Sequence, residues 1–169
     1  MSEVVVLGKP VLSQSSTHRF VRTVLSAVNH PGALALLECW RAYEATGGMR
    51  MGRDIPSRTL AKLLPFILIA EPIGHWDDAR IRLAGTALIE RFGHDVAGEL
   101  ASHLYAADTA GAQLLLQLAR RASGAREPGM IDLRVLMDEI EVFHLETVIV
   151  PIYSPDGSAG WTMVGAFRF

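Results

Sequence analysis

The chain has 169 residues, half of them hydrophobic and a fifth charged, which suits one globular domain and excludes the disordered class. Sixteen basic residues are offset by eighteen acidic ones with no Lys/Arg block, so no electrostatic footprint for nucleic acid exists. A single cysteine, Cys39, excludes an intrachain disulfide, and the longest apolar stretch, near Leu63 to Ala70, is broken by Pro65 and is too short for a membrane span.

In chain order, Met1 to Gly8 is too short and too acidic for a secretory signal, so a soluble, cytoplasmic protein is expected. Ser15, Ser16 and Thr17 are candidate caps for an amphipathic helix with Phe20, Val21, Val24, Leu25 and Val28 on one side. Asn29-His30-Pro31-Gly32 ends it, because the residue before proline avoids the helical region. A second helix is predicted from about Ala33 to Ala45, with Leu36, Leu37, Trp40 and Tyr43 at helical spacing and Gly47-Gly48 as its stop.

Ser57 to Leu64 suits one or two turns before Pro65. Phe66 to Ile73 reads as a strand, Gly74 to Asp78 as a turn, and Ala79 to Gly85 as a second strand closing a hairpin. Its alternation puts Ile81 and Leu83 on one face, Arg80 and Arg82 on the other. Thr86 to Phe92 forms a short helix that Thr86 can cap, and Gly93 to Gly98 a turn. Asp108 caps a helix to about Ser123, with Ala112, Leu115, Leu118, Ala119 and Ala122 as its buried stripe and Gly124 as its stop. Strands at Met130 to Met137, Val142 to Tyr153 and Trp161 to Phe169 follow, separated by turns at Asp138-Glu139 and Pro155-Asp156-Gly157. Short turns make neighbouring strands antiparallel, and a helical crossover between them defines an α+β fold.

Two strands, short helices, a long helix and three strands is an order similar to the PAS fold. Arg82-Leu83-Ala84-Gly85-Thr86, followed by Phe92-Gly93-His94-Asp95-Val96-Ala97-Gly98, resembles the stand-alone bacterial PAS proteins, which carry R-x-x-G-T and F-G-x-D-[LV]-x-G at this separation. Trp40, Asp54-Ile55 and Leu63-Leu64-Pro65 resemble that family's lead-in, and the likeness runs from about Leu34 to Phe169. Around Asp54 the chain departs from it: Gly52 stands where the family has an arginine, and Pro56 comes one position early.

The resemblance implies a five-stranded antiparallel sheet with the crossover on one face and two additional N-terminal helices. Residues 1–32 are then an N-terminal extension with its amphipathic helix, and 33–169 a PAS-like domain with its lead-in helix. The block has structural duties readable without the family: Gly85 ends a strand where a side chain would obstruct the turn, Asp95 can accept backbone N–H groups, and Gly93 and Gly98 belong to the turn, Gly98 with positive φ.

The implied function is a non-enzymatic sensory or signalling adaptor that binds a small ligand, a protein partner, or both, as a homodimer, with output passed to a separate protein. Candidate pocket residues are Ile69, Leu83, Leu88, Ile89, Phe92, Leu104, Leu115 and Met163; Phe20, Val24 and Val28 would form a dimer or partner seam. No phosphate-loop, dinucleotide, serine-hydrolase or zincin motif is present, and no metal ligand set stands out. Glu99 with His103, four apart, and His144 with Glu146, two apart on a strand face, are the pairs that can meet; adjacent His94 and Asp95 point apart, and His75 belongs to a turn. Haem through His103 or His144 is the cofactor the resemblance brings into question, although the sequence requires none. The alternative function is a small cone-type α+β enzyme, an isomerase or dehydratase with His103, Asp95 or His144 as base.

Overall fold

The computed structural model describes residues 18–169. Its elements are β1 (His18–Val24), α1 (Pro31–Glu44), β2 (Ile67–Ile73), β3 (Asp78–Ala84), α2 (Thr86–Phe92), α3 (Ala101–Leu104), α4 (Thr109–Ala125), β4 (Gly129–Met137), β5 (Ile140–Tyr153) and β6 (Ala159–Arg168). The strands form one antiparallel sheet in the order β1-β4-β5-β6-β2-β3. The α+β, PAS-like class stands, with six strands in place of five.

The sixth strand comes from a correction. The helix predicted over Phe20 to Val28 is strand β1, paired along its length with β4 from His18↔Met137 to Val24↔Ile131. Phe20, Arg22 and Val24 alternate with Val21 and Thr23, a period-2 pattern rich in β-branched residues. Val28 packs in the core beside α1, so the helical seam of Phe20, Val24 and Val28 does not form. The cap residues Ser15, Ser16 and Thr17 lie outside the described residues.

Helix α1 begins two residues earlier than its apolar pattern suggests. His30 is its N-cap, with Nδ1 accepting the Gly32 N–H at 2.9 Å, and Pro31 takes the first helical position, where it forfeits no hydrogen bond. Glu146 on β5, fully buried, accepts the N–H groups of Asn29 (2.9 Å) and His30 (2.7 Å), tying the start of α1 to the sheet. Trp40 Nε1 donates to the Pro151 carbonyl at 2.8 Å, seating the middle of the helix. At the other end α4 continues through Gly124 to Ala125 and is closed by Arg126 at φ 52°.

The sheet thus has two covered faces. On one, α1 packs over β5 and β6 around Leu36, Ile67, Ile69, Val148 and Met163. On the other, α2, α3 and α4 cross around Leu68, Ile81, Leu88, Phe92 and Ile149. Between Ile69 and Ala70 the β2–β3 register slips, so Arg82 has no opposite residue. This bulge sends Ile81 to the α4 face and Leu83 to the α1 face, against the single face that strict alternation predicts.

Candidate ligand cavity

Between α4 and the sheet lies a cavity of ≈ 100 Å³. Strand alternation supplies its floor: Leu68 and Ala70 from β2, Ile131 and Leu133 from β4, Thr147 and Ile149 from β5, Thr162 and Val164 from β6. Its roof is α4, whose Gly111, Ala112 and Ala119 are too small to fill the space, with Leu115 and Leu116 between them. Trp76, from the β2–β3 turn, and Tyr105, after α3, close its flanks; Trp76 is buried although its turn is not, held there by φ 65°.

The polar groups in this lining are few. Arg22 on β1 places Nη2 2.6 Å from Oδ2 of Asp108, whose Oδ1 accepts the Gly111 N–H at 3.0 Å as the N-cap of α4. Among the described residues these two are the only charged side chains lining the cavity, and they face each other. Burial pushes the Tyr105 phenol well above its ordinary pKa, with the Asp108 carboxylate adding to the shift, so it stays neutral. Thr162 is fully buried, and its Oγ1 has no hydrogen-bond partner among the described residues. Its cross-strand neighbours are Ala70 and Pro151, neither of which offers a side-chain donor or acceptor.

Of the pocket residues predicted from sequence, Leu88 and Leu115 line this cavity. Phe92 and Leu104 belong to the same apolar cluster but stand outside the lining, and Ile89 is half-buried on α2. Ile69, Leu83 and Met163 are on the opposite sheet face, against α1. The sequence reading missed Arg22, Trp76, Tyr105, Thr147 and Thr162. On β5, Thr147 shares a face with Leu145 and Ile149 by strand parity, a pattern readable in the sequence.

The glycine-aspartate block builds the turn that brings α2 onto the sheet. Gly85 is the N-cap of α2 and donates to the Ile67 carbonyl at 2.7 Å; a Cβ there would meet the Leu64 carbonyl oxygen at 2.0 Å. Thr86 is therefore the first helical residue, exposed and not a cap. Gly93 closes the helix at φ 82°, Asp95 Oδ1 accepts the Ala97 N–H at 3.0 Å, and Gly98, at φ 89°, donates to the Ile81 carbonyl at 2.7 Å. Arg82 donates from Nε to Glu71 at 2.6 Å and lies over the Trp161 ring.

The histidine pairs resolve differently from their spacing. Glu99 precedes α3 and pairs with His94 at 2.7 Å, leaving His103 exposed without it. His144 turns from Glu146 to Asp132: Nε2 is hydrogen-bonded to Asp132 Oδ1, Nδ1 is 3.7 Å from Glu141 Oε1, and the ring stacks on Phe169 at 4.0 Å. Both ring nitrogens thus face carboxylates. Among the described residues no three His, Cys, Asp or Glu side chains are grouped to hold a metal ion. This cavity does not fit haem: neither His103 nor His144 lines it, and ≈ 100 Å³ is far too small for a porphyrin. Cys39, half-buried on α1, has its thiol pKa raised by burial.

An antiparallel sheet with a helical crossover wrapped over one face, enclosing a small apolar space, defines the class of compact α+β domains that PAS domains exemplify. The family model described as PAS domain matches residues 28–167, and the chain belongs to that family. PAS domains are sensory and signalling modules, generally without catalysis of their own. No curated protein and no solved structure matches the chain significantly. No helix among the described residues is long and apolar enough to cross a membrane.

Proposed function

We propose that this chain is a non-enzymatic PAS sensor that takes a small, mostly apolar molecule between α4 and the sheet and relays its presence to a protein partner. The observation that carries this reading is the ≈ 100 Å³ cavity, lined by aliphatic and aromatic side chains and containing a buried hydroxyl without a partner. Interiors normally pack without such gaps and pair their buried polar atoms. A ligand that binds one arrangement of α4 better than another shifts the population toward it. The Arg22–Asp108 contact ties the start of α4 to the edge strand β1, and so offers a route from cavity to surface.

Homodimerisation is part of the proposal, with β1 as the contact. It is an edge strand whose far side has no partner among the described residues, and its Val24 is 56% exposed. The enzyme alternative has less support. A general base needs a free lone pair aimed at substrate, whereas His144 directs both nitrogens at carboxylates, Asp95 is engaged in its own turn, and His103 is exposed on α3 outside the cavity.

Native mass spectrometry of freshly purified protein, with an absorption spectrum of the same sample, tests the reading. A small organic mass retained under gentle conditions and lost on denaturation is the expected result. Turnover of a substrate by the purified chain would contradict it.

A further inference from the structure

We infer that the cavity selects a small neutral molecule, about the size of one six-membered ring, through a hydrogen bond to the Thr162 hydroxyl; this rests on the ligand-sensor reading above. Size comes first. An engineered cavity of roughly 150 Å³ binds benzene, and the present one, at ≈ 100 Å³, is smaller, so a single ring is its upper limit and part of that ring must reach into its open side. In the lining, Leu114, Leu115, Leu116, Leu133 and Val164 are half-buried, whereas Thr162 itself, Ala70, Ala119 and Ile149 are closed to solvent.

Charge comes second. Arg22 and Asp108 already neutralise each other, so an entering carboxylate or ammonium would lose its hydration and find no free counter-charge in the lining. A neutral ligand avoids that cost.

Thr162 then supplies the selectivity. A hydroxyl shut in with no partner carries a desolvation cost that a ligand hydroxyl or carbonyl would relieve. A lone water is a poor substitute, because a buried water needs two to four polar partners. Ala70 and Pro151 provide none from their side chains, and Thr147 is four residues along β5 from Pro151. A site with one unmet hydrogen bond in apolar walls discriminates against analogues that lack the polar group.

The test is calorimetric titration of phenol, benzene and benzoate into the wild type, Thr162→Val and Ala119→Leu, the last intended to fill the cavity. Phenol should bind the wild type more tightly than benzene does, and benzoate should not bind. Thr162→Val should weaken phenol about three- to tenfold, the worth of one hydrogen bond, and leave benzene unchanged. Because valine matches threonine in shape and removes an unpaired hydroxyl, its melting temperature without ligand should equal or exceed that of the wild type. Ala119→Leu, if its circular dichroism is native, should bind neither neutral probe. Unaltered phenol affinity in Thr162→Val, a large drop in its melting temperature, or tight benzoate binding would overturn the Thr162 assignment while leaving a benzene-binding cavity in place. Failure of both phenol and benzene to bind the wild type would overturn the sensor reading itself.

Discussion

Arg22 and Asp108 are 86 residues apart in sequence, yet Nη2 of one lies 2.6 Å from Oδ2 of the other, joining the edge strand β1 to the cap of α4. The carboxylate does two things there: it satisfies the Gly111 N–H at the start of α4 and it answers a guanidinium that is itself mostly buried. Asp108→Ala removes both roles and leaves Arg22 uncompensated, so a loss of about 3 kcal/mol is expected in urea unfolding. Asp108→Asn keeps an oxygen for the cap and should lose less. Equal losses would show that the cap adds nothing beyond the ion pair.

Two glycines in the α2 turn should respond to alanine for different reasons. At Gly85 the new Cβ would press on the backbone of Leu64 and Pro65, which cannot step aside, and a loss of about 3 kcal/mol or more is expected. At Gly98 the Cβ meets open space, and only the positive φ of 89° resists, at a cost of about 1–2 kcal/mol. Chemical denaturation of the two variants measures the order.

Asp78 fastens α3 to β3. Burial works against its charge, but the Ser102 hydroxyl and the N–H groups of Ala79 and Ser102 outweigh it and hold the carboxyl below its usual pKa. A depressed folded-state pKa contributes stability that is present above the ordinary aspartate value of about 3.9 and is lost as pH falls through the lowered value. Asp78→Asn should therefore flatten part of the acid limb of a stability–pH curve below about pH 4. A curve parallel to that of the wild type would remove Asp78 from the acid response.

If β1 is the dimer contact, a charge on its exposed edge should break it. Val24→Lys is expected to shift the wild-type species to half its mass in light scattering coupled to size exclusion, with little loss of stability because the site is exposed. A wild type that runs as a monomer at micromolar concentration would contradict the dimer proposal.

The elements with a clear period and flanking signals were legible: α1, α4 and the β4–β5–β6 meander are found within a few residues of their sequence-based limits. Strand β1 was not, because Phe20, Val21, Val24, Leu25 and Val28 also satisfy a helical spacing, and its pairing with β4 is over a hundred residues distant. The cavity was half legible for a related reason. Ile67 to Ala70 is buried on both faces, so no alternation tells which of its side chains face α4. The bulge at Arg82 adds one residue that no local pattern announces, and it moves Leu83 away from the cavity. Residues chosen for their apolar bulk, Ile69 and Met163 among them, consequently fall on the α1 face, whereas Thr162 is passed over because it is polar.

The central claim is that a ligand enters on the α4 side of the sheet and not elsewhere. Methyl-resolved NMR during a benzene titration tests this directly, since the ring current marks whichever methyls it approaches. The account predicts saturable shifts at Leu88, Leu115, Ile131 and Ile149, which line the cavity, with Leu36, Ile67, Ile69 and Met163 nearly unmoved on the α1 face. Shifts spread over both faces, confined to the α1 face, or rising without saturation would contradict it.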